Sequence, residues 1–372
     1  MFCSRCILDS RIPGITFDEN GVCNYCKIHD EMCKEYPTGE KGQKILTKIA
    51  ENIKRGGRKS KYDCVIGVSG GCDSSYLLYL ARKLGLRPLA VHFDNTWNST
   101  IAVENIHTML KKLDIELYTY VIDNEEFNDL SRAFLSASVP EIDAPTDIAL
   151  TTILYLAAEK HKIKYILNAH TFRTEGISPI GWWYFDGKYV QSIHRQLGKR
   201  PMKTFPNLWL RQWLKWLILN RIKRIRPLYY VDYRKEETKR FLTENFGWRW
   251  YGGHHMENKF TFFNHNYILP KKFDIDLRLV EFSALVRSGQ MAKREALEKI
   301  SKPMPIEENL VNEVKKRLHF TDEEFNSVLS LPKKTAKNYE TYRPTFKRMR
   351  SFFWLMYKLD LVPKSFFIKY TR

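Results

Sequence analysis

A chain of 372 residues, at about 150 residues per domain, is long enough for two to three domains and for a hydrophobic core that needs no disulfide staples. Hydrophobic residues at 44% and charged residues at 28% exclude a disordered chain, and seven cysteines are too few for a disulfide scaffold. The formal net charge of +19 is local: residues 188–230 carry 11 basic and no acidic side chains, residues 333–372 carry 11 basic and 2 acidic, and the remainder is nearly neutral.

The chain opens with MFCSRCILDS, which has no basic-then-apolar signal pattern, and nowhere does an uncharged apolar run reach the roughly 18 residues of a membrane span. A protein of the reducing cytoplasm is therefore expected. Cys3 and Cys6 pair with Cys23 and Cys26 across 16 intervening residues. Each C-x-x-C supplies two thiolates at the right bite for tetrahedral Zn²⁺, and Pro13, Gly14, Asn20 and Gly21 suit the turns of a ribbon. Four protein ligands leave no open position, so a structural zinc is expected rather than a catalytic one. Cys33 is a spare or alternate ligand.

A helical pattern runs from Glu40 to Arg55, and the basic, glycine-rich Gly56 to Lys61 reads as a linker. Strands and helices then alternate. Strands are expected at Tyr62 to Val68, Pro88 to Phe93, Ile115 to Ile122 and Lys164 to Leu167. Helices are expected at Ser74 to Leu84, Ser99 to Leu113 (capped by Asn98 or Ser99), Asn124 to Ala137 and Asp147 to His161. This alternation predicts an α/β fold with a doubly wound parallel sheet. Beyond Phe172 the pattern loosens. Lys235 to Asn245 reads as a helix, further helices follow Leu277, and Thr321 with Glu324 makes a capping box. The expected division is a zinc knuckle over 1–38, a nucleotide-binding domain over 39–300 with a basic aromatic insertion near 188–230, and a helical basic region over 301–372.

Val68, Ser69, Gly70, Gly71, Cys72, Asp73 and Ser74 join the first strand to the first helix. There a helix N-terminus offers unpaired N–H groups to an anion, and the two glycines let the backbone approach it. Ser69 and Ser74 add hydroxyl donors. Asp73 repels phosphate, so its sensible role is to hold Mg²⁺. No lysine follows the glycines, so this is not a Walker loop. S-G-G-x-D-S after an apolar strand resembles the PP-loop of the ATP pyrophosphatase superfamily. The resemblance implies an adenine-nucleotide α-hydrolase-like fold, cleavage of ATP between its α and β phosphates, and AMP transfer to a substrate oxygen. It also implies that the end of the second strand contacts adenosine, where Asp94 can accept from ribose or adenine. Asn168 and His170 end the fourth strand at the same edge, and His170 can contact phosphate or help activate a carbonyl.

No cysteine follows Cys72, which weakens a sulfur-transfer reading. Residue 2 is Phe, so a glutaminase with Cys directly after the initiator Met is absent, and ammonia must be free or delivered by a partner. CSRCILDSRIPGITFDENGVCNYC, VIGVSGGCDSSYLLYLA, NAHTFRTEG and YGGHHMENKFTFFNHNYILPKKFDID together resemble the N-acetyl sugar amidotransferases of bacterial surface-polysaccharide biosynthesis. That resemblance implies ATP-dependent conversion of an acetamido group on a nucleotide-linked sugar to an acetamidino group, for lipopolysaccharide O-antigen or related glycans. It implies two partners, a glutaminase and a cyclase-like ammonia conduit, both resembling histidine-biosynthesis subunits. Cofactors are then ATP, Mg²⁺ and Zn²⁺. The rest of the site is sought in Tyr251 to Phe263, where Lys259 can reach phosphate and Glu257 can act on ammonium or substrate; His254 and His255 read as polar loop residues.

In Asn207 to Arg221, Trp209, Trp213 and Trp216 share one helical face. Lys347 to Lys369 repeats the mixture with Phe352, Phe353, Trp354 and Phe366. Such helices pack on the domain or on a partner subunit, lie in a membrane interface on the cytoplasmic side, or stack single-stranded bases. Two rival readings follow: a tRNA-modifying enzyme with the same ATP chemistry (a lysidine-type ligase or a thiolase), and an idle nucleotide-binding scaffold at the membrane face.

Overall fold

A computed structural model describes the chain except for residues 254, 255, 305, 307 and 372. Five strands, β1 (Cys64–Gly67), β2 (Pro88–Asp94), β3 (Leu117–Val121), β4 (Tyr165–Leu167) and β5 (Lys223–Ile225), form one parallel sheet in the order β3-β2-β1-β4-β5. The order reverses between β1 and β4, and an open sheet leaves a crevice there, beyond the carboxyl ends of its strands.

Successive strand residues face opposite cores. Val65, Leu89, Val91, Phe93 and Ile166 enter one, while Cys64, Ile66, Ala90 and Leu167 enter the other. α1 (Asn24–Glu35) belongs to the N-terminal cysteine segment; α2 (Gly39–Gly57), α3 (Cys72–Lys83) and α4 (Thr100–Leu113) supply the second core, and α5 (Asn124–Ser136), α6 (Ala144–Lys160), α7 (Gly187–Leu197) and α8 (Leu210–Ile218) the first. The sheet is therefore covered on both faces, as its near-continuous apolar strands require.

Ser99 is the cap of α4: its Oγ accepts from the Ala102 N–H at 3.2 Å. α6 begins three residues earlier than the sequence pattern suggests, because Pro145 sits in its first turn, where a missing N–H costs nothing. β5, with the sequence KRI, is short and basic and offered no apolar run to read.

The chain continues as α9 (Lys235–Phe246), α10 (Lys259–Phe263), a π-turn (Asn264–Ile268), α11 (Leu269–Phe273), α12 (Arg278–Arg287), α13 (Lys293–Ile300), α14 (Glu308–Arg317), α15 (Asp322–Ser330), α16 (Arg343–Arg348), α17 (Arg350–Lys358) and α18 (Lys364–Tyr370). The Thr321–Glu324 capping box is present at α15. α14 to α18 join the first core through Val314, Phe325, Phe346, Phe353 and Phe366.

The aromatic helices pack largely within the molecule. Trp216 stacks on Tyr155 with centroids 5.0 Å apart, and its indole N–H donates to Glu159 at 2.7 Å. Trp213 lies 4.9 Å from Phe366 and 6.3 Å from Phe353. The two basic segments meet where Glu340 pairs with Lys188 at 3.4 Å and Arg195 at 2.5 Å. Trp209, Leu219, Trp354, Leu355 and Leu359 remain exposed. Among the described residues, no helix is long and apolar enough to cross a membrane.

Candidate active site

The turn after β1 is built to hold its N–H groups toward a ligand. Gly70 has φ +77°, and a Cβ there would lie 2.1 Å from the Ala102 carbonyl oxygen, so only glycine fits. The Gly70 carbonyl accepts from the Trp248 indole at 2.9 Å and from Asn105 Nδ2 at 3.3 Å. Because a trans peptide points its C=O and N–H in opposite directions, this grip turns the Gly71 N–H the other way, into the loop. Ser69 Oγ accepts that N–H at 3.3 Å, and the Ser74 hydroxyl donates to the Gly71 carbonyl at 3.2 Å. α3 then starts at Cys72 with Gly71 as its cap and no side chain on its free N–H groups. The strand–loop–helix arrangement read from the sequence is present, with the start of α3 open to an anion.

Replacing Gly70 with Ala forces the loop away from Ala102. The expected result is at least tenfold weaker ATP binding by calorimetry with an unchanged far-UV circular dichroism spectrum (about 1.4 kcal/mol per tenfold); unaltered affinity would show that the loop is not the nucleotide site.

Around the loop lies a cleft of about 660 Å³. Of the residues read from sequence, Val68, Ser69, Gly71, Asp73, Ser74, Asn168, His170 and Glu257 line it. Glu257 arrives from far along the chain: its carbonyl accepts from the Ser99 N–H at 2.9 Å, and the Lys259 N–H donates to the Trp97 carbonyl at 2.8 Å, so this segment is laced to the loop after β2. A Cβ on Gly71 would lie 3.5 Å from Glu257 Oε1 and 3.2 Å from the Tyr251 hydroxyl. His170 has its Nδ1 3.2 Å from the Tyr229 hydroxyl. The surrounding walls and, secondarily, Arg226 push its pKa down to about 4, so the ring is neutral at pH 7.

Gly70, Asp94 and Lys259 are not brought to the cleft wall. The Asp94 carboxylate instead accepts from the Thr96 N–H at 2.8 Å and shapes the turn that presents Asn95 and Asn98. Lys259 is held at 2.8 Å by Glu313. His254 and His255 lie outside the described residues.

Several groups at the loop had no sequence motif. Asp73 accepts from the Tyr233 hydroxyl and lies 3.8 Å from Lys235 Nζ, which is also 4.0 Å from Glu281. Burial alone would depress the Lys235 pKa, but Asp73, Glu281 and Glu175 outweigh it and hold the ammonium charged. The cleft thus places a buried cation beside the loop where phosphate charge would sit. Cys72 is near Tyr233 at 3.4 Å, and burial pushes its pKa up to about 12, so it is a thiol.

The four N-terminal cysteines form a separate centre. All are fully buried, with Sγ···Sγ distances of 3.8 Å (Cys3–Cys26), 3.7 Å (Cys6–Cys23) and 3.6 Å (Cys23–Cys26). A tetrahedron with Zn–S bonds of about 2.3 Å has edges of about 3.8 Å, so the sulfurs fit zinc. Backbone N–H groups of Arg5, Cys6 and Cys23 point at Cys3 Sγ at 3.3–3.4 Å. The buried Arg287 guanidinium reaches Cys6 and Cys26 Sγ, both at 3.4 Å, and offsets thiolate charge.

Residues 257–352 match the family described as LPS biosynthesis protein WbpG-like, C-terminal domain. An uncharacterized protein of Methanocaldococcus jannaschii is 33% identical over 132 residues, 35% of this chain and 45% of that protein. A probable mitochondrial tRNA-specific 2-thiouridylase 1 of Caenorhabditis elegans is 26% identical over 155 residues, 37% of this chain and 40% of that one. A tRNA(Ile)-lysidine synthase of Chlamydia pneumoniae is 31% identical over 97 residues, 23% of this chain and 30% of that one. The matches span less than half the length of these relatives. Among solved structures, an NMN synthetase from Francisella tularensis aligns with TM-score 0.31 and 15% identity over 78% of this chain and 95% of that one.

Proposed function

We propose that the protein is an ATP-dependent, AMP-forming amidotransferase that converts an acetamido group of a nucleotide-linked sugar to an acetamidino group in bacterial surface-polysaccharide or O-antigen synthesis. The observation that carries this reading is a juxtaposition. The WbpG-like region contributes Glu257, Asn264, His265 and Glu281 to the same cleft as the phosphate loop.

In this reading the acetamido oxygen attacks the α-phosphorus, and pyrophosphate departs with the electron pair of the broken P–O bond. Ammonia then forms a C–N bond to the adenylated imidate carbon, and AMP leaves with the C–O pair. No side-chain nucleophile is needed. The loop N–H groups and Lys235 receive phosphate charge, a preorganised electrostatic role. Neutral His170 can donate a hydrogen bond to oxygen without adding charge. Mg²⁺, when bound, neutralises phosphate charge, and the Asp73 carboxylate in the cleft is a hard oxygen donor suited to hold it. Ammonia comes from a partner glutaminase through a conduit subunit. The exposed Trp209 just before α8 and Trp354 of α17, amid basic residues, supply any peripheral contact at the cytoplasmic membrane face.

The test is incubation with ATP, Mg²⁺, ammonium and a diacetamido sugar nucleotide. AMP should appear together with a product lighter by the difference between O and NH. AMP formation that ignores the sugar nucleotide would sink the reading. The competing reading, tRNA modification, draws on the names of two relatives and on the basic segments. Cys72, a buried thiol in the cleft, is a poor sulfur carrier. A lysidine-type reaction would instead be revealed by salt-sensitive tRNA binding and AMP release driven by tRNA.

A further inference from the structure

The cleft is also lined by segments that lie outside the loop after β1. Glu141 and Asp143 come from the turn that leads into α6, Thr146 and Asp147 from its first turn, Asn264 from the π-turn, Trp183 and Phe185 from the stretch before α7, and Lys369 from α18 near the end of the chain. The C-terminal helix and the start of α16 are both fastened beside this wall. The Tyr370 hydroxyl donates to the Phe185 carbonyl at 3.2 Å, and the Asp186 carboxylate accepts from the Tyr342 N–H at 2.7 Å.

This wall is rich in hydrogen-bond acceptors. Glu141 is 6% exposed; its oxygens accept from the Tyr184 N–H at 2.9 Å and the Tyr189 hydroxyl at 3.3 Å. Asp143 accepts from the Thr261 hydroxyl at 2.7 Å. Asn264 is 3% exposed, and its Oδ1 has no partner; neither does Thr146 Oγ1. A buried acceptor left unmatched is costly, so Asn264 Oδ1 calls for a ligand that donates, while the Thr146 hydroxyl can accept from or donate to that ligand. A π-turn is a frequent place for such a residue.

Against this background Lys369 stands out. It lies over the rings of Phe185 and Tyr370, at 5.2 and 5.4 Å from their centroids, and lines the same cleft as Lys235. Burial pushes its pKa down to about 8 against the pull of Glu141 and Asp147, while burial raises Glu141 to about 7. Perturbed groups of this kind in a cleft mark functional surface.

We propose that this wall is the acceptor subsite of the cleft, taking a hydroxyl- and amide-bearing sugar whose donors meet Asn264, Thr146 and the carboxylates, and that Lys369 is its specificity residue for an anionic oxygen group on that substrate. The assignment rests on the amidotransferase reading for the reaction, but its test does not. The anionic group is either the diphosphate of a nucleotide sugar or a carboxylate on the sugar ring, and both present the same chemistry to an ammonium.

The experiment is calorimetric binding of UDP-N-acetylglucosamine, its uronate counterpart and, separately, ATP to the full chain and to the Lys369→Met and Lys369→Arg variants, each checked by thermal melting. Lys369→Met should weaken the sugar nucleotides about 10- to 100-fold while ATP affinity stays within about twofold, and Lys369→Arg should recover most of the loss. Equal weakening of both sugar nucleotides assigns the contact to the diphosphate; weakening of the uronate alone assigns it to the carboxylate. Unchanged binding in Lys369→Met, or sugar nucleotides that fail to bind the wild-type chain, overturns the subsite. Failure of ammonium-dependent AMP formation with intact sugar-nucleotide binding would instead overturn the reaction and leave the subsite in place.

Discussion

Asp73→Asn should cut pyrophosphate release on the order of a thousandfold while leaving the thermal midpoint within a few degrees of wild type. The substitution preserves size and keeps an oxygen for the Tyr233 hydroxyl. It removes the charge. Lys235 then keeps Glu281, at 4.0 Å, but loses the carboxylate 3.8 Å away, and the cleft loses its hard donor for a divalent cation. Removing one preorganised charge-stabilising group from a phosphoryl or acyl transfer site typically costs about 10²–10³ in kcat, so the expected loss lies at the upper end of that range. Stopped-flow detection of pyrophosphate with saturating ATP reads it directly. Release at the wild-type rate would remove Asp73 from the chemistry, whatever the fold does.

Cys23→Ser should lower zinc from one equivalent per chain to a substoichiometric amount and lower the unfolding midpoint with it. The site does more than tie four cysteines. Ile7, Leu8 and Ile12 of the knuckle pack with Trp182, Leu279, Val280 and Ala296 in a third apolar cluster. Lys293 caps the Cys3 and Ser4 carbonyls at 2.8 and 2.9 Å. Without metal and thiolates, the buried Arg287 guanidinium loses its anionic counterpart, which is destabilising beyond the ligand bonds themselves. A loss of about 3 kcal/mol at 2–4 °C per kcal/mol corresponds to about 6–12 °C. Metal analysis and differential scanning calorimetry on the same sample provide the check. Full zinc content in the variant would take the knuckle out of the metal reading.

The parts legible in the sequence are those whose cause is local. β1, β2 and β4 announced themselves as apolar runs because both faces of each are buried. The turn from β1 into α3 was visible because paired glycines between an apolar run and a helical pattern leave few alternatives, and Gly70 indeed has φ +77°. The cysteine centre was visible from spacing alone. What stayed hidden depends on distant contacts. Lys235 and Tyr233 are ordinary residues at the head of α9 until the fold carries them to Asp73. Lys369 lies nearly three hundred residues from the loop whose cleft it lines. Asp94 and Lys259 had suitable chemistry at suitable sequence positions, but other partners hold them: the nearby Thr96 N–H for the first and Glu313, 54 residues on, for the second. A π-turn has no reliable sequence mark, so Asn264 went unread.

The grip of Trp248 on the Gly70 carbonyl has a practical consequence. Its indole is wholly buried and is hydrogen-bonded to the loop that would receive the nucleotide. Any rotation of that peptide as ligand enters must lengthen or bend the bond, so the chain carries its own optical reporter. The emission difference between the wild-type chain and Trp248→Phe, recorded as ATP is titrated, isolates that signal from the other eight tryptophans and follows occupancy in real time without a label.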